Sequence, residues 1–206
     1  MKKSILLIVF LLTIAKGPYA QSFSAEVMTG NQNYWYQHAV GVSLANSPFE
    51  IFHASSMHWM YEEREKNEIM SQSYITYPLT SSIRLAAGTF YASKPGISPS
   101  LAIQFRFAHR HLRGVIVPRA DVKNNGSIEA MTSVEYLPPI NEQLTFYARA
   151  QLMSNYGPYN HNRSYQNFRV GVRTQKTTFG FALNVDERGA EKQTMHNWGV
   201  FLRYNY

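Results

Sequence analysis

The last nine residues of the chain, 198–206, alternate strictly between two sets of side chains. Trp198, Val200, Leu202, Tyr204 and Tyr206 occupy every second position, and smaller or polar residues mostly lie between them. Successive side chains of a β-strand point to opposite faces, so this period of two predicts a strand with one apolar face. The same alternation recurs about every dozen residues upstream. The chain is therefore predicted to be all-β.

The first twenty residues have the pattern of an export signal. Lys2 and Lys3 precede an apolar run over 5–14, and a small residue, Ala20, follows. We expect a signal peptide at 1–20 and a mature chain at 21–206. The apolar run is shorter than the roughly 20 residues that a spanning helix needs, and no later segment approaches that length. If the exported chain enters a membrane, it must therefore do so as strands.

These features together predict a transmembrane antiparallel up-and-down β-barrel of about twelve strands, with ten or fourteen as alternatives. The expected strands are 22–29, 33–45, 49–62, 67–78, 82–93, 99–110, 113–122, 127–137, 143–154, 165–175, 177–187 and 195–206. Pro118 predicts an irregular seventh strand, because proline cannot donate to a ladder. Short periplasmic turns and longer connections on the opposite side are expected, the longest over 155–164.

The inward face of these strands carries charges of both signs. The lumen residues are Arg84, Arg106, Arg149, Arg169, Arg173, Arg203, Glu26, Glu50, Glu129, Glu135 and Asp186. Six cations and five anions nearly balance, whereas wide selective pores tend to display rings of one sign. A paired network in a narrow or occluded lumen is favoured. The alternative is a specific anionic ligand held by the arginines.

His53 and Ser55 lie two residues apart, on the face of the third strand that meets lipid. The hairpin register places His38 opposite Ser55. Over these few residues the chain resembles the His-x-Ser element of outer-membrane phospholipase A and of the lipid A deacylases. The resemblance implies hydrolysis of acyl esters, with Ser55 as nucleophile and His53 as base.

The same wall supports a second interpretation. Polar groups that face hydrocarbon are costly, yet four of them lie on the outer faces of three consecutive strands: His38, Ser55, Ser71 and Ser73. Small hydroxyl residues permit close packing across a membrane interface. We therefore expect these strands to form a partner-docking side that meets another outer-membrane or periplasmic protein.

The end of the chain and its composition narrow the class further. Trp198, Tyr204 and the terminal aromatic Tyr206 resemble the assembly signal of bacterial outer-membrane proteins. That resemblance implies insertion by the barrel-assembly machinery into the outer membrane of a Gram-negative bacterium. A mature start at Gln21 and a terminal Tyr are compatible with a Bacteroidota-type source. Contact with outer-membrane lipid follows.

Several chemistries are not expected. The chain has no cysteine, so thiolate metal sites and a cysteine nucleophile are excluded. Residues 1–20 contain three of the 20 basic groups and no acid, which leaves 17 against 13 in the mature chain. That mild surplus is scattered, so nucleic acid is not an expected partner. The histidines lack the spacing of a metal site, and no cofactor is expected.

The sequence thus predicts an integral outer-membrane barrel, not an enzyme, that serves as a structural or accessory subunit of an envelope complex for secretion, assembly or transport. Two alternatives remain open. One is the lipid-modifying acyl hydrolase at Ser55 and His53. The other is a small-solute channel that uses the lumen arginines.

Overall fold

Twelve antiparallel strands close into one barrel. The computed structural model describes residues 21–94, 96–157 and 159–206, so the expected signal peptide at 1–20 lies outside the described residues. The strands are β1 (Gln21–Gly30), β2 (Asn33–Ser43), β3 (Glu50–Met60), β4 (Glu68–Pro78), β5 (Ile83–Ala92), β6 (Gly96–His109), β7 (Leu112–Asp121), β8 (Ile128–Tyr136), β9 (Leu144–Tyr156), β10 (His161–Thr174), β11 (Thr177–Arg188) and β12 (Gln193–Asn205). The predicted fold class and strand number are confirmed. Within the described part of the chain, no helix has the length and apolarity to cross a membrane.

Each strand pairs with its neighbours in sequence, and the ends of the chain complete the circle. Strand β12 pairs with β1 from Ser24 opposite Asn205 to Gly30 opposite Gly199. Beyond the ladder, the amide of Tyr206 donates to the carbonyl oxygen of Phe23 at 2.9 Å. Closure leaves no sheet edge unpaired, as a strand-built membrane protein requires. We call the end of the barrel that holds the start of β1 and the end of β12 the terminal rim, and the opposite end the distal rim.

The outward face of the barrel is apolar over most of its circumference. Large side chains such as Leu101, Val170, Phe181 and Val200 are half or more exposed. Exposed apolar area on this scale is not tolerated in water but matches the hydrocarbon of a membrane. The alternation read from the sequence therefore separates a lipid-facing surface from the lumen.

The lumen contains packed side chains as well as charges. Met28, Trp35, Tyr147, Ala182 and Phe201 form one buried cluster. A second cluster on the other side consists of Tyr74, Ala86 and Ala102. Each strand supplies its inward positions to this interior because every second side chain points there.

Two inward glycines face each other on β10 and β11. Gly171 pairs with Gly180, and a Cβ atom on Gly171 would collide with the carbonyl oxygen of Phe179. Side chains at this point would force the two strands apart, so glycine permits the local curvature.

Several strand bounds differ from the sequence prediction. Strand β10 begins at His161 and β9 continues to Tyr156, so the long loop expected over 155–164 is mostly strand. A register shift between His161 and Arg163 absorbs the mismatch.

The two longest connections, 61–67 and 137–143, lie on opposite rims, so the expected difference in loop length between the two sides is wrong. The irregularity at Pro118 does occur, since the β6–β7 ladder has no pair opposite Pro118 or Val117.

Candidate functional site: the charged lumen and the polar outer wall

A buried carboxylate, that of Glu26, forms ion pairs with two arginines in the middle of the lumen. Glu26 on β1 accepts hydrogen bonds from Arg149 on β9 and from Arg169 on β10, both at 2.8 Å. All three side chains are almost wholly buried. The Arg169 guanidinium also lies over the rings of Trp35 and Phe201, at 4.9 and 5.7 Å from their centroids. This group links strands on different sides of the barrel, because Glu26 reaches partners three and four strands away around the closed sheet.

A second group lies nearer the terminal rim around Glu135. Arg203 donates to one carboxylate oxygen of Glu135 at 2.7 Å, and the Arg113 guanidinium lies 2.7 Å from the other. The Tyr147 hydroxyl donates to the same carboxylate at 3.0 Å. Arg173 sits above the Tyr147 ring, with its centroid 5.2 Å away. Guanidinium groups outnumber carboxylates here by three to one.

Glu50 organises a third group, also near the terminal rim. Arg84 donates to Glu50 at 2.6 Å, whereas the Arg106 guanidinium approaches it only to 3.8 Å. Arg106 donates instead to the side-chain oxygen of Gln104 at 2.8 Å. Its side chain stays 39% exposed, so this guanidinium can reach a solute in the lumen.

The distal rim is crossed by a further set of ion pairs. Arg163 on β10 forms a bidentate ion pair with Asp186 on β11. Its Nε and Nη2 atoms donate to the two carboxylate oxygens at 2.7 and 2.8 Å. The same guanidinium reaches across the lumen to Glu68 on β4 at 2.5 Å. Arg188 lies 3.3 Å from Glu68 and 2.9 Å from Asp186. Two arginines and two carboxylates therefore form a strap between opposite parts of the wall.

Arg119 anchors the fifth group, beside the distal rim on the other half of the barrel. It donates to Asp121 at 2.6 Å and to Glu129 at 2.9 Å. Its guanidinium lies over the ring of Phe90, with the centroid at 3.8 Å. Asn155 donates to Glu129 at 3.0 Å, which joins β9 to the group.

The predicted lumen residues all take part in these groups, but the prediction missed six more charges. The additional ones are Arg113, Arg119, Arg163, Arg188, Glu68 and Asp121. Arg163 falls in the loop predicted over 155–164, and its alternation with Tyr165 and Asn167 is the signal that β10 starts earlier. Arg119 lies in the strand that Pro118 makes irregular, and its position between the outward-facing residues Pro118 and Ala120 is the signal that it points inward.

Between these groups the lumen encloses a cavity of about 600 Å³. Its charged lining is five arginines and three glutamates, a surplus of two positive charges: Arg106, Arg113, Arg119, Arg149, Arg203, Glu50, Glu129 and Glu135. Aromatic side chains of Phe52, Tyr74, Phe90 and Tyr165 complete much of the wall. The lining runs from Ser22 at the terminal rim to Met70 and Met153, just below the strap. The cavity is therefore partly apolar, and its lining carries a surplus of positive charge.

The outer wall of β2, β3 and β4 differs from the rest of the lipid-facing surface. The register places His38 opposite Ser55 and Ser55 opposite Ser71, as the hairpin argument predicted for the first pair. The imidazole of His53 shares a hydrogen bond with the Ser73 hydroxyl at 2.8 Å. The rings of His38 and His53 lie 5.2 Å apart, centroid to centroid. We call these five residues the polar wall.

The proposed pairing of a serine nucleophile with its base is not formed at Ser55. Its hydroxyl donates to the carbonyl oxygen of Met70 at 2.9 Å, and His53 pairs with Ser73 instead. The reason is the sheet geometry, which brings residues directly opposite on neighbouring strands closer together than residues two apart on one strand. The acyl-hydrolase assignment for Ser55 and His53 stays a prediction. Its test is whether Ser55→Ala changes the lipid acyl profile of membranes that contain the protein.

No group of three or more histidine, cysteine or carboxylate side chains that could hold a metal ion occurs among residues 21–94, 96–157 and 159–206.

Comparison with known proteins shows the fold. No family model matches the chain, and no curated protein matches its sequence. A solved KdgM porin in complex with disordered oligogalacturonate is 12% identical and matches with a TM-score of 0.53, over 90% of this chain and 99% of that one. The NanC porin in a rhombohedral crystal form is 15% identical, with a TM-score of 0.51 and the same coverage. The chain thus has the closed-barrel fold of outer-membrane β-barrel proteins.

Proposed function

We propose that this protein is an integral outer-membrane barrel of a Gram-negative bacterium whose lumen binds and passes small acidic solutes. The observation that carries the proposal is the lumen cavity of about 600 Å³ with five arginines against three glutamates in its lining. A solute that enters a narrow, partly apolar space loses much of its hydration. Fixed guanidinium groups offset the cost of this dehydration for carboxylates by binding them, whereas they repel cations and so raise the cost of entry.

Arg106 and Arg113 are the side chains best placed to meet such a solute first. Both line the cavity near the terminal rim, and their side chains are 39% and 49% exposed. Arg106 is held only loosely by Glu50, since the two charged groups are 3.8 Å apart. Its planar guanidinium can therefore turn to a carboxylate and bind it through two parallel hydrogen bonds.

The strap at the distal rim limits passage. Glu68 and Asp186 neutralise Arg163 and Arg188, and the Arg163–Glu68 contact crosses the lumen. An acidic solute at this point can compete with Glu68 for Arg163, whereas a neutral solute offers no such exchange. The strap thus favours anions by a second route.

The similarity to porins supports the choice of solutes for a first test. One of the matching porins was solved in complex with disordered oligogalacturonate, which is an acidic sugar oligomer. Galacturonate and its neutral counterpart galactose differ by one carboxylate, so they isolate the effect of charge.

The test is uptake into liposomes that contain the purified barrel. We expect faster entry of galacturonate than of galactose, and we expect the double variant Arg106→Gln, Arg113→Gln to lose most of that preference. Arg64→Gln is the matched control, because Arg64 is exposed in the connection between β3 and β4. Equal entry of both sugars into wild-type liposomes, or no entry of either, would contradict the proposal.

The accessory-subunit role is a second candidate, and the polar wall supports it. A barrel that carries hydrogen-bonding groups on its lipid-facing side is suited to contact another protein there. Purification in a mild detergent tests this role: a different envelope protein that copurifies in a fixed ratio is expected, and its consistent absence would argue against it.

A further inference from the structure

The register shift near the start of β10 brings a histidine and a serine to the same side of the barrel wall. Residues three apart in a regular strand point to opposite faces, as His161 and Ser164 otherwise would. The shift places His161 opposite Tyr156, whereas Ser164 pairs with Ser154. Tyr156 and Ser154 are two residues apart on β9 and both are exposed on its outer face. A β-bulge of this kind re-aims a side chain, and here it sets the imidazole beside two serine hydroxyls.

These side chains form a continuous chain of hydrogen bonds. Nδ1 of His161 lies 2.8 Å from the carbonyl oxygen of Gly189. A carbonyl oxygen only accepts, so in the neutral ring Nδ1 carries the proton and Nε2 is an acceptor. The Ser164 hydroxyl therefore donates to Nε2, 2.9 Å away, and its oxygen accepts from the Ser154 hydroxyl, also at 2.9 Å. We call Ser154, Ser164 and His161 the serine–histidine relay.

The imidazole of the relay is held in a fixed orientation. Gly189 lies in the β11–β12 connection, and its amide donates to the carbonyl oxygen of Asn162 at 2.9 Å. Two hydrogen bonds therefore fasten this connection to residues 161 and 162. The Tyr156 ring packs edge-on against the imidazole, with the centroids 5.3 Å apart. His161 and Ser164 are both buried, so water does not compete for their hydrogen bonds.

Ser154 is the member of the relay that reaches the surroundings of the barrel. It is exposed, and it lines an apolar groove of about 1100 Å³ on the lipid-facing surface. Small residues continue the groove, since Ala130 is opposite Ser154 and Pro118 is opposite Ala130. The groove extends to Phe49 at the terminal rim. In a membrane, hydrocarbon fills such a groove, so its occupant is the acyl chain of a lipid.

The relay differs from Ser55 and His53 in geometry and in depth. Ser55 donates to a backbone carbonyl, whereas each hydroxyl of the relay donates towards the imidazole. Ser55 is the central residue of β3, whereas Ser154 lies two residues from the end of β9. The end of a strand meets the interface of the membrane, where water and the polar groups of lipids are within reach.

We propose that Ser154 is the nucleophile of an acyl-ester hydrolase that cleaves a membrane lipid whose acyl chain lies in the groove. This activity is separate from the passage of solutes through the lumen. The Ser154 oxygen attacks the ester carbonyl carbon as its proton passes to Ser164 and the proton of Ser164 passes to Nε2 of His161. The tetrahedral intermediate then breaks its bond to the alcohol oxygen, which takes a proton returned through the relay. Water repeats these steps on the acyl-serine and releases the fatty acid.

Hydrolysis of p-nitrophenyl palmitate by the purified barrel in detergent micelles tests the proposal. We expect kcat/KM to exceed that for p-nitrophenyl acetate by roughly tenfold or more, because only the palmitoyl chain fills the groove. Ser154→Ala should lower the rate by roughly a hundredfold or more. Thr89→Ala is the matched control, since it removes an exposed hydroxyl from β5 outside the relay. A wild-type barrel without activity, equal kcat/KM for the two esters, or a Ser154→Ala barrel as active as the wild type would overturn the proposal.

A second measurement locates the nucleophile in the unaltered protein. An alkyl fluorophosphonate reacts with activated serines, and mass spectrometry of the peptides should find it on Ser154. Ser164→Ala should lower kcat by roughly a hundredfold and leave KM for the palmitate ester unchanged, because it removes the path of the proton and not the groove. Ser164→Thr keeps the hydroxyl and should restore most of the activity. Attachment of the probe to a different residue, or full activity of Ser164→Ala, would refute the relay.

Discussion

Replacement of Glu26 by glutamine tests whether paired charges stabilise the interior of the barrel. The carboxylate is 1% exposed and accepts from Arg149 and Arg169 at 2.8 Å. Removal of one partner from a buried ion pair typically costs about 3–5 kcal/mol, because the remaining charge stays buried. Glutamine keeps an acceptor oxygen of similar shape, so we expect the low end, about 3 kcal/mol. That corresponds to a roughly hundredfold change in the ratio of folded to unfolded protein.

The assay is equilibrium unfolding in denaturant with lipid vesicles, followed by tryptophan fluorescence. Trp35 reports on this region, because the Arg169 guanidinium lies over its ring. Glu63→Gln is the control: Glu63 pairs with Lys66 on the surface, where both side chains are about half exposed, and its loss should cost less than about 1 kcal/mol. If the Glu26→Gln and Glu63→Gln barrels differ by less than about 1 kcal/mol, the claim that the central charges hold the lumen together is wrong.

Three further predictions follow from single contacts. Glu68→Gln should weaken the strap at the distal rim and raise single-channel conductance in planar bilayers, and an unchanged conductance would show that the strap does not limit passage. Gly171→Val should reduce the yield of folded barrel in a gel-shift assay far more than Val170→Leu, because only the first places atoms against the carbonyl of Phe179. Deletion of Tyr206 should slow assembly of the barrel in cells, because the Tyr206 amide donates to the carbonyl oxygen of Phe23 where β12 meets β1. Normal assembly of the shortened chain would show that Tyr206 is not part of the assembly signal.

The alternation of side chains predicted most of the fold because a barrel depends on a local rule. Each strand must present one apolar face to lipid, so the pattern is visible in every segment of the sequence. The bounds were less accurate at the distal rim, where outward residues no longer need to be apolar. There β9 and β10 continue through a polar stretch that includes Asn155 and Arg163, and alternation of apolar residues does not mark it.

The sequence predicts which residues point into the lumen better than it predicts which of them contact each other. Eleven of the inward charges followed from the alternation of side chains, and the pairing of His38 with Ser55 followed from the hairpin register. Which charges pair across the lumen depends on strands far apart in sequence, as with Arg163 and Glu68, and no local pattern encodes that contact. The pairing of His53 with Ser73 likewise required the register between β3 and β4. The cavity depends on all of these contacts at once.

The reversal potential of the barrel in a planar bilayer under a tenfold gradient of potassium chloride tests the proposed function most directly. The surplus of arginine over glutamate in the cavity predicts that chloride carries most of the current, and that the Arg106→Gln, Arg113→Gln variant shifts the reversal potential towards zero. A reversal potential of the sign expected for potassium, or a barrel that conducts no ions, would contradict the account.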